Sequence, residues 1–224
     1  MAKSGSNHAP VLVIGLGRFG SSVARSLVQL GHDVLAVDER AEIVQKFAND
    51  FTHVVAADST DTEALRQIGA EQFDRAVIGI GTDIEASVLT VLSVVELGVE
   101  EVWAKAINAK HARILESVGA NHVIRPESAM GERVAHMVTG AMIDYIEFDD
   151  GFAIARTRAP EVSWDRTLEQ TGLRAKYGIT VVGVKRRGQD FTYARPETSI
   201  SSSDELIVSG PTTKVENFCG LTHG

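Results

Sequence analysis

The sequence predicts an α/β protein: a doubly wound parallel sheet first, then a small α+β domain. Three observations lead there. From residue 11 to about residue 125, short apolar runs of strand type alternate with amphipathic helical stretches. The first of these runs, Val11–Ile14, leads straight into Gly15-Leu16-Gly17-Arg18-Phe19-Gly20. After Asp144 the alternation stops and hairpin signals replace it.

Strands are predicted at Val11–Ile14, 33–37, 53–57, 76–80, 101–106 and 121–124. The helix after Gly20 places Val23, Leu27 and Leu30 at helical spacing and stops at Gly31. A second helix over 82–97 takes Thr82 or Asp83 as cap. It carries Ile84, Val88, Val91, Leu92 and Val95 as a stripe and ends at Gly98. Residues 127–143 read as one long helix with Met130, Val134, Met137, Val138 and Met142 on one side. That side suits packing within the chain or an adaptable contact with a neighbouring subunit. Next, 145–148 and 152–156 flank the acidic turn Asp149-Asp150-Gly151. A short helix over 167–175, a strand at 180–185, a turn at 186–188 and strands at 191–194 and 205–209 complete the pattern. The expected organisation is a disordered tail (1–9), a nucleotide-binding domain (10–126), a linking or dimerisation helix (127–143) and a small domain (144–224).

The first βαβ unit defines the chemistry. In G-x-G-x-x-G, Gly15 permits a tight turn, Gly17 lets backbone approach phosphates, and Gly20 lets helix pack closely on strand. Phosphates then meet free N–H groups at a helix N-terminus. The second strand ends on Asp38, 18 residues after Gly20, where a carboxylate can accept hydrogen bonds from ribose hydroxyls. The alternative is a glycine-rich turn in a Rossmann-type fold without a ligand.

Composition narrows the function. At 224 residues with 44% hydrophobic and 23% charged residues, this is ordinary globular material. A net charge of −8 argues against a nucleic-acid binder. Cys219 is the only cysteine, so no disulfide framework or thiolate metal site is expected. No apolar run approaches membrane-helix length and the polar start lacks a signal-peptide core, which predicts a soluble, cytoplasmic protein. A dehydrogenase needs an acid or base near its cofactor. Residues 144–222 contain no histidine, and Tyr145, Tyr177 and Tyr193 are isolated. His111, His122 and His136 lack metal-ligand spacing. A nucleotide site without a reaction centre points to a sensor and not an enzyme. The rival readings are an NAD-dependent oxidoreductase and a redox-sensing transcriptional repressor.

Several segments together resemble a known family. Gly15-Leu16-Gly17-Arg18-Phe19-Gly20, Val34-Leu35-Ala36-Val37-Asp38, Ala57-Asp58-Ser59-Thr60-Asp61, Val102-Trp103-Ala104-Lys105-Ala106 and Arg125-Pro126-Glu127 resemble the RCK proteins, regulators of potassium conductance. Within that family the likeness is to KtrA/TrkA-type regulatory subunits of bacterial potassium uptake systems. Gly172-Leu173-Arg174-Ala175-Lys176-Tyr177-Gly178 and Asp204-Glu205-Leu206-Ile207-Val208-Ser209-Gly210 resemble the small RCK_C domain.

The resemblance implies a Rossmann-type RCK_N domain. There Gly15, Leu16, Gly17, Arg18, Phe19 and Gly20 cradle phosphates, and Asp38, with Arg40 beside it, meets the ribose. Asp58 and Ser59 would lie near adenine, Gly81 and Thr82 would face the nucleotide, and Lys105 would approach the phosphates. Arg18 would reach a γ-phosphate across a dimer, and Glu127 would help hold Mg2+ or Ca2+ there. The ligands implied are ATP/ADP or NAD(H), which Asp38 does not separate. The partner implied is a membrane potassium-translocating subunit of the KtrB/TrkH type, at the inner face of the membrane. Assembly would be homo-oligomeric, with dimers building a ring of octameric kind. Arg174, Tyr177 and Ile179 fall where related domains bind cyclic di-AMP, although Thr180 stands where such binders tend to have asparagine.

Overall fold

The computed structural model describes residues 9–138, 142–148 and 150–221. The chain divides after Glu127 into two compact units. The expected tail falls almost wholly outside the described residues, as do Asp149 of the acidic turn and residues 139–141 of the predicted long helix.

The first unit runs β1 (Val11–Ile14), α1 (Arg18–Gln29), β2 (Val34–Asp38), α2 (Ala41–Phe47), β3 (His53–Ala56), α3 (Thr62–Gln67), β4 (Arg75–Ile78), α4 (Ile84–Glu96), β5 (Glu101–Lys105), α5 (Ala109–Ser117) and β6 (His122–Ile124). Its sheet is parallel throughout, in the order β3-β2-β1-β4-β5-β6. The expected strands are all present, with ends shifted by up to two residues. β1 and β2 are buried along their whole length, which is why they read as unbroken apolar runs. Alternate side chains serve two cores. Val11, Val13, Val34 and Ala36 meet Ala24, Phe47 and Phe51, contributed by α1, α2 and the loop after α2. Leu12, Ile14, Leu35 and Val37 meet Leu65, Val91, Val94 and Leu115 of α3, α4 and α5. The strand order reverses between β1 and β4, so the carboxyl ends open a crevice there. Asp83 caps α4, its carboxylate accepting the Ala86 N–H at 3.0 Å.

α6 (Pro126–Val138) crosses the division between the units. It ends at Val138 among the described residues, short of the predicted 143. Met142, expected on its apolar side, instead lies in the core of the second unit, 5% exposed. Met130, Val134 and Val138 stay exposed on the single chain.

The second unit continues with β7 (Asp144–Phe148), β8 (Phe152–Arg158), β9 (Arg166–Thr167), α7 (Leu168–Thr171), α8 (Leu173–Tyr177), β10 (Thr180–Lys185), β11 (Phe191–Tyr193), β12 (Ser199–Ile200), β13 (Glu205–Pro211) and α9 (Thr212–Gly220). Five strands form an antiparallel sheet ordered β11-β10-β13-β8-β7, and β12 pairs β9 separately. The helix predicted over 167–175 is two helices, because Gly172 turns left-handed at φ 59° between them. α9 is absent from the sequence reading, yet its Val215, Phe218 and Cys219 fill the core with Ala153, Ala155, Leu206 and Val208. Arg133 of α6 donates to Asp144 at 3.0 Å, and the His136 ring lies 4.2 Å from that of Tyr145.

Candidate nucleotide-binding site

The candidate residues of the first unit fall at the carboxyl ends of parallel strands or in the loops just beyond. Gly15–Gly20 follow β1, Asp38 ends β2, Asp58 and Ser59 follow β3, Gly81 and Thr82 follow β4, Lys105 ends β5, and Glu127 follows β6.

Backbone contacts fix the glycine loop. Gly15 has φ 87°, a conformation L side chains rarely adopt. A Cβ on Gly20 would collide with the Gly15 carbonyl oxygen. A third glycine, Gly79, completes this crossing: its N–H donates to the Ile14 carbonyl at 2.7 Å, and a Cβ there would stand 2.8 Å from the Gly15 oxygen. Gly79 was missed in the sequence, although Gly79-Ile80-Gly81 at the end of a buried strand was the available signal. Gly17 differs, with nothing within 4 Å of where its Cβ would be. It is also the N-cap of α1, and no described side chain caps that helix. The first-turn N–H groups of α1 thus lack intrahelical partners.

Asp38 is 5% exposed and already bonded. Its Oδ2 accepts the Leu16 N–H at 2.8 Å, tying β2 to the glycine loop. Its Oδ1 accepts the Arg40 backbone N–H at 3.1 Å and Arg40 Nε at 3.0 Å. Burial alone would raise the pKa of this carboxyl. The bonds from Arg40 and Leu16 outweigh it and hold Asp38 below the usual range, as a carboxylate. A ribose bound here would share Asp38 with Arg40, a competition the sequence did not reveal.

On the other side of the crevice, Lys105 Nζ donates to Glu127 Oε1 at 2.6 Å and sits 5.8 Å from the centre of the Phe19 ring. A methyl on Gly81 would come 3.3 Å from Lys105 Nζ, so lysine, glycine and aromatic ring form one corner. Lys105 lowers the Glu127 pKa, with a smaller contribution from Arg18. Arg18 itself is exposed. Among the described residues no group of three or more His, Cys, Asp or Glu side chains is placed to hold a metal ion.

Two further candidates are already hydrogen-bonded within the fold. Ser59 Oγ pairs with Thr90 Oγ1 at 2.7 Å, both buried. Asp58 accepts from the Thr60 N–H and hydroxyl at 2.9 and 2.7 Å. In the second unit Arg174 is exposed, and Tyr177 packs edge-on to Phe218 at 5.5 Å. Ile179 is corrected: it is 1% exposed, a core residue, and cannot wall a surface ligand without rearrangement.

A parallel sheet of this strand order with a glycine loop at its switch point, followed by a small antiparallel domain, defines the class: a two-domain protein of RCK architecture. Residues 11–126 match the family model of the TrkA-N domain and residues 162–222 that of the TrkA-C domain. The chain belongs to this family of Ktr and Trk potassium uptake proteins. It is similar to Ktr system potassium uptake protein A of Bacillus subtilis, 35% identical over 207 residues, covering 92% of this chain and 93% of the relative. Ktr system potassium uptake protein C of the same organism is 37% identical, over 92% and 94%. Among solved structures, the GsuK RCK domain superposes with a TM-score of 0.67 at 18% identity, covering 99% of this chain. This chain spans about half, 49%, of that one, and the likeness carries the fold alone.

Proposed function

We propose that this chain is a nucleotide-sensing regulatory subunit that binds ATP/ADP or NAD(H) in the crevice of its first unit and gates a separate potassium-translocating membrane protein of the KtrB/TrkH type. The observation that carries the reading is the pairing at the switch point of an uncapped helix N-terminus beside open Gly17 with a buried, ionised Asp38. Its relatives are named potassium uptake proteins, which supports the transport role. A solved GsuK channel is described as bound to NAD.

In this reading the α1 N–H groups and Lys105 hold the phosphates and Asp38 orients the ribose. Arg18, exposed on this chain, would meet the terminal phosphate of a second subunit's nucleotide. Glu127 would release Lys105 to join Mg2+ or Ca2+ when a triphosphate arrives. Ligands shift the assembly only by their differential affinity for its two shapes. Among the described residues no helix is long and apolar enough to cross a membrane, and in this reading translocation belongs to the partner. Exposed Leu89, Leu92 and Val95 on α4, and Met130, Val134 and Val138 on α6, suit burial between copies in dimers and a ring. Cyclic di-AMP at Arg174 and Tyr177 remains a proposal for the second unit, without Ile179 as a contact.

The test has two parts. Mass spectrometry of ligand released from purified, denatured protein should find an adenine nucleotide. Deletion should impair potassium uptake at low external potassium. A ligand-free protein that also fails to bind added nucleotide removes the sensing role, and unaltered uptake removes the transport role.

A further inference from the structure

His111, in the first turn of α5, is 1% exposed. Its Nδ1 accepts the backbone N–H of Ile107 at 3.4 Å, and the backbone N–H of His111 donates to the capping side chain of Asn108 at 2.9 Å. A neutral imidazole that accepts at Nδ1 carries its proton on Nε2. That Nε2 is buried and, among the described residues, has no partner. Ser87 Oγ, in the first turn of neighbouring α4, is likewise buried with no partner among the described residues.

The segment held by His111 is the loop from β5 to α5, directly after Lys105. A methyl on Gly81 would stand 3.5 Å from Ile107 Cγ2 and 3.3 Å from Lys105 Nζ, so Ile107 and Lys105 share one wall of the crevice. A second proton on His111 would set an Nδ1–H donor against the Ile107 N–H donor. It would also bury a cation whose Nε2–H has no acceptor. No nearby charge offsets this. Lys110, Arg113 and Glu116 on α5, Asp83 and Glu85 at the start of α4, and His122 on β6 are exposed. Lys105 is paired with Glu127. Burial is the single cause acting on the ring, and it pushes the pKa down.

We propose that neutral His111 is a positioning residue for the β5–α5 loop, and that protonating it frees Ile107 and weakens nucleotide binding on the Lys105 side of the crevice. This rests on the nucleotide reading above.

The experiment titrates full-length wild type and His111→Asn with NAD+ or ADP, whichever binds at pH 8, across pH 8 to 5. Asparagine can offer its Oδ1 where Nδ1 stood but does not titrate. Wild-type affinity should be flat at neutral pH and then fall by up to about tenfold per pH unit once the ring titrates, as expected for one linked proton. His111→Asn should bind within about twofold of wild type at pH 8 and stay flat below. Binding that is pH-independent in wild type, or equally pH-dependent in the variant, overturns the proposal and leaves the nucleotide reading standing. Absence of binding at pH 8 overturns both. Should the variant not fold, the imidazole nitrogen spectrum of wild type decides instead. The Nε2–H tautomer is expected for His111, and the Nδ1–H tautomer overturns the proposal.

Discussion

The two units solve the same packing problem with opposite sheets, and only one sheet gathers chemistry at an edge. In the first unit all six strands point the same way, so every strand delivers its last residue to one rim. Gly15, Asp38, Gly79, Gly81 and Lys105 lie at that rim because connectivity puts them there. In the second unit neighbouring strands alternate in direction, and each rim receives both starts and ends. One sheet face is covered by α9, and the charged pairs are local: Arg156 with Glu205 across β8 and β13, Arg186 with Asp204, Arg133 with Asp144. A binding crevice follows from parallel winding itself, whereas the antiparallel unit yields a stable body with no built-in rim.

The sharpest way to test that contrast is with glycine. Gly20→Ala should cost the first unit about 3 kcal/mol or more, because backbone meets backbone. Gly151→Ala, at φ 74° in open space, should cost the second unit about 1 kcal/mol. Thermal melts with limited proteolysis would resolve the two, and equal costs would show that the glycine crossing is not the tight point.

Next in size is Asp38→Asn. An amide in that place sets a donor against Leu16 or Arg40 and loses charge, at about 1.5–3 kcal/mol or roughly 10- to 150-fold in nucleotide affinity. The variant also bears on acid stability. Asp38 has a depressed folded pKa, so its contribution is full above the unfolded carboxyl value of about 3.9 and is lost as pH falls through the folded value. The acid limb of an unfolding curve should therefore be shallower for Asp38→Asn than for wild type.

Much of the first unit was legible because its constraints are backbone constraints. Only glycine fits Gly15 and Gly20, and a strand ending in Asp38 at the right spacing has few other meanings. What escaped was decided by pairing across the fold. Nothing in the sequence shows that Arg40 occupies Asp38, that Ser59 turns inward to Thr90, or that His111 is buried. In the second unit the hairpin was legible from Gly151. α9 was not, because its Thr212-Thr213-Lys214 start reads as a polar tail, although Val215, Phe218 and Cys219 stand at i, i+3 and i+4 as one helical face. Ile179 was assigned to a surface through family likeness, and burial corrected it.

Smaller effects sharpen the contrast further. Glu127→Gln should leave stability unchanged, since that side chain is 66% exposed, while reducing any Mg2+ enhancement of ATP binding. Calorimetry with and without Mg2+ checks this, and a full metal effect in the variant would move the cation elsewhere. In the second unit, Cys219 is fully buried and burial pushes its thiol up to about 11. Labelling by a thiol reagent at pH 8 should follow opening of that unit and be indifferent to nucleotide bound in the first. Strong protection on adding nucleotide would show that the two units respond together.

The most direct measurement is calorimetric titration of wild type and Asp38→Asn with ADP, ATP and NAD+ at pH 8, beside an unfolding curve for each protein. Saturable binding of at least one nucleotide to wild type, weakened roughly 10-fold or more in a variant that still folds, is the expected result. No binding of any of the three at millimolar ligand, or equal binding by a folded Asp38→Asn, would contradict a nucleotide site at the carboxyl rim of the first unit.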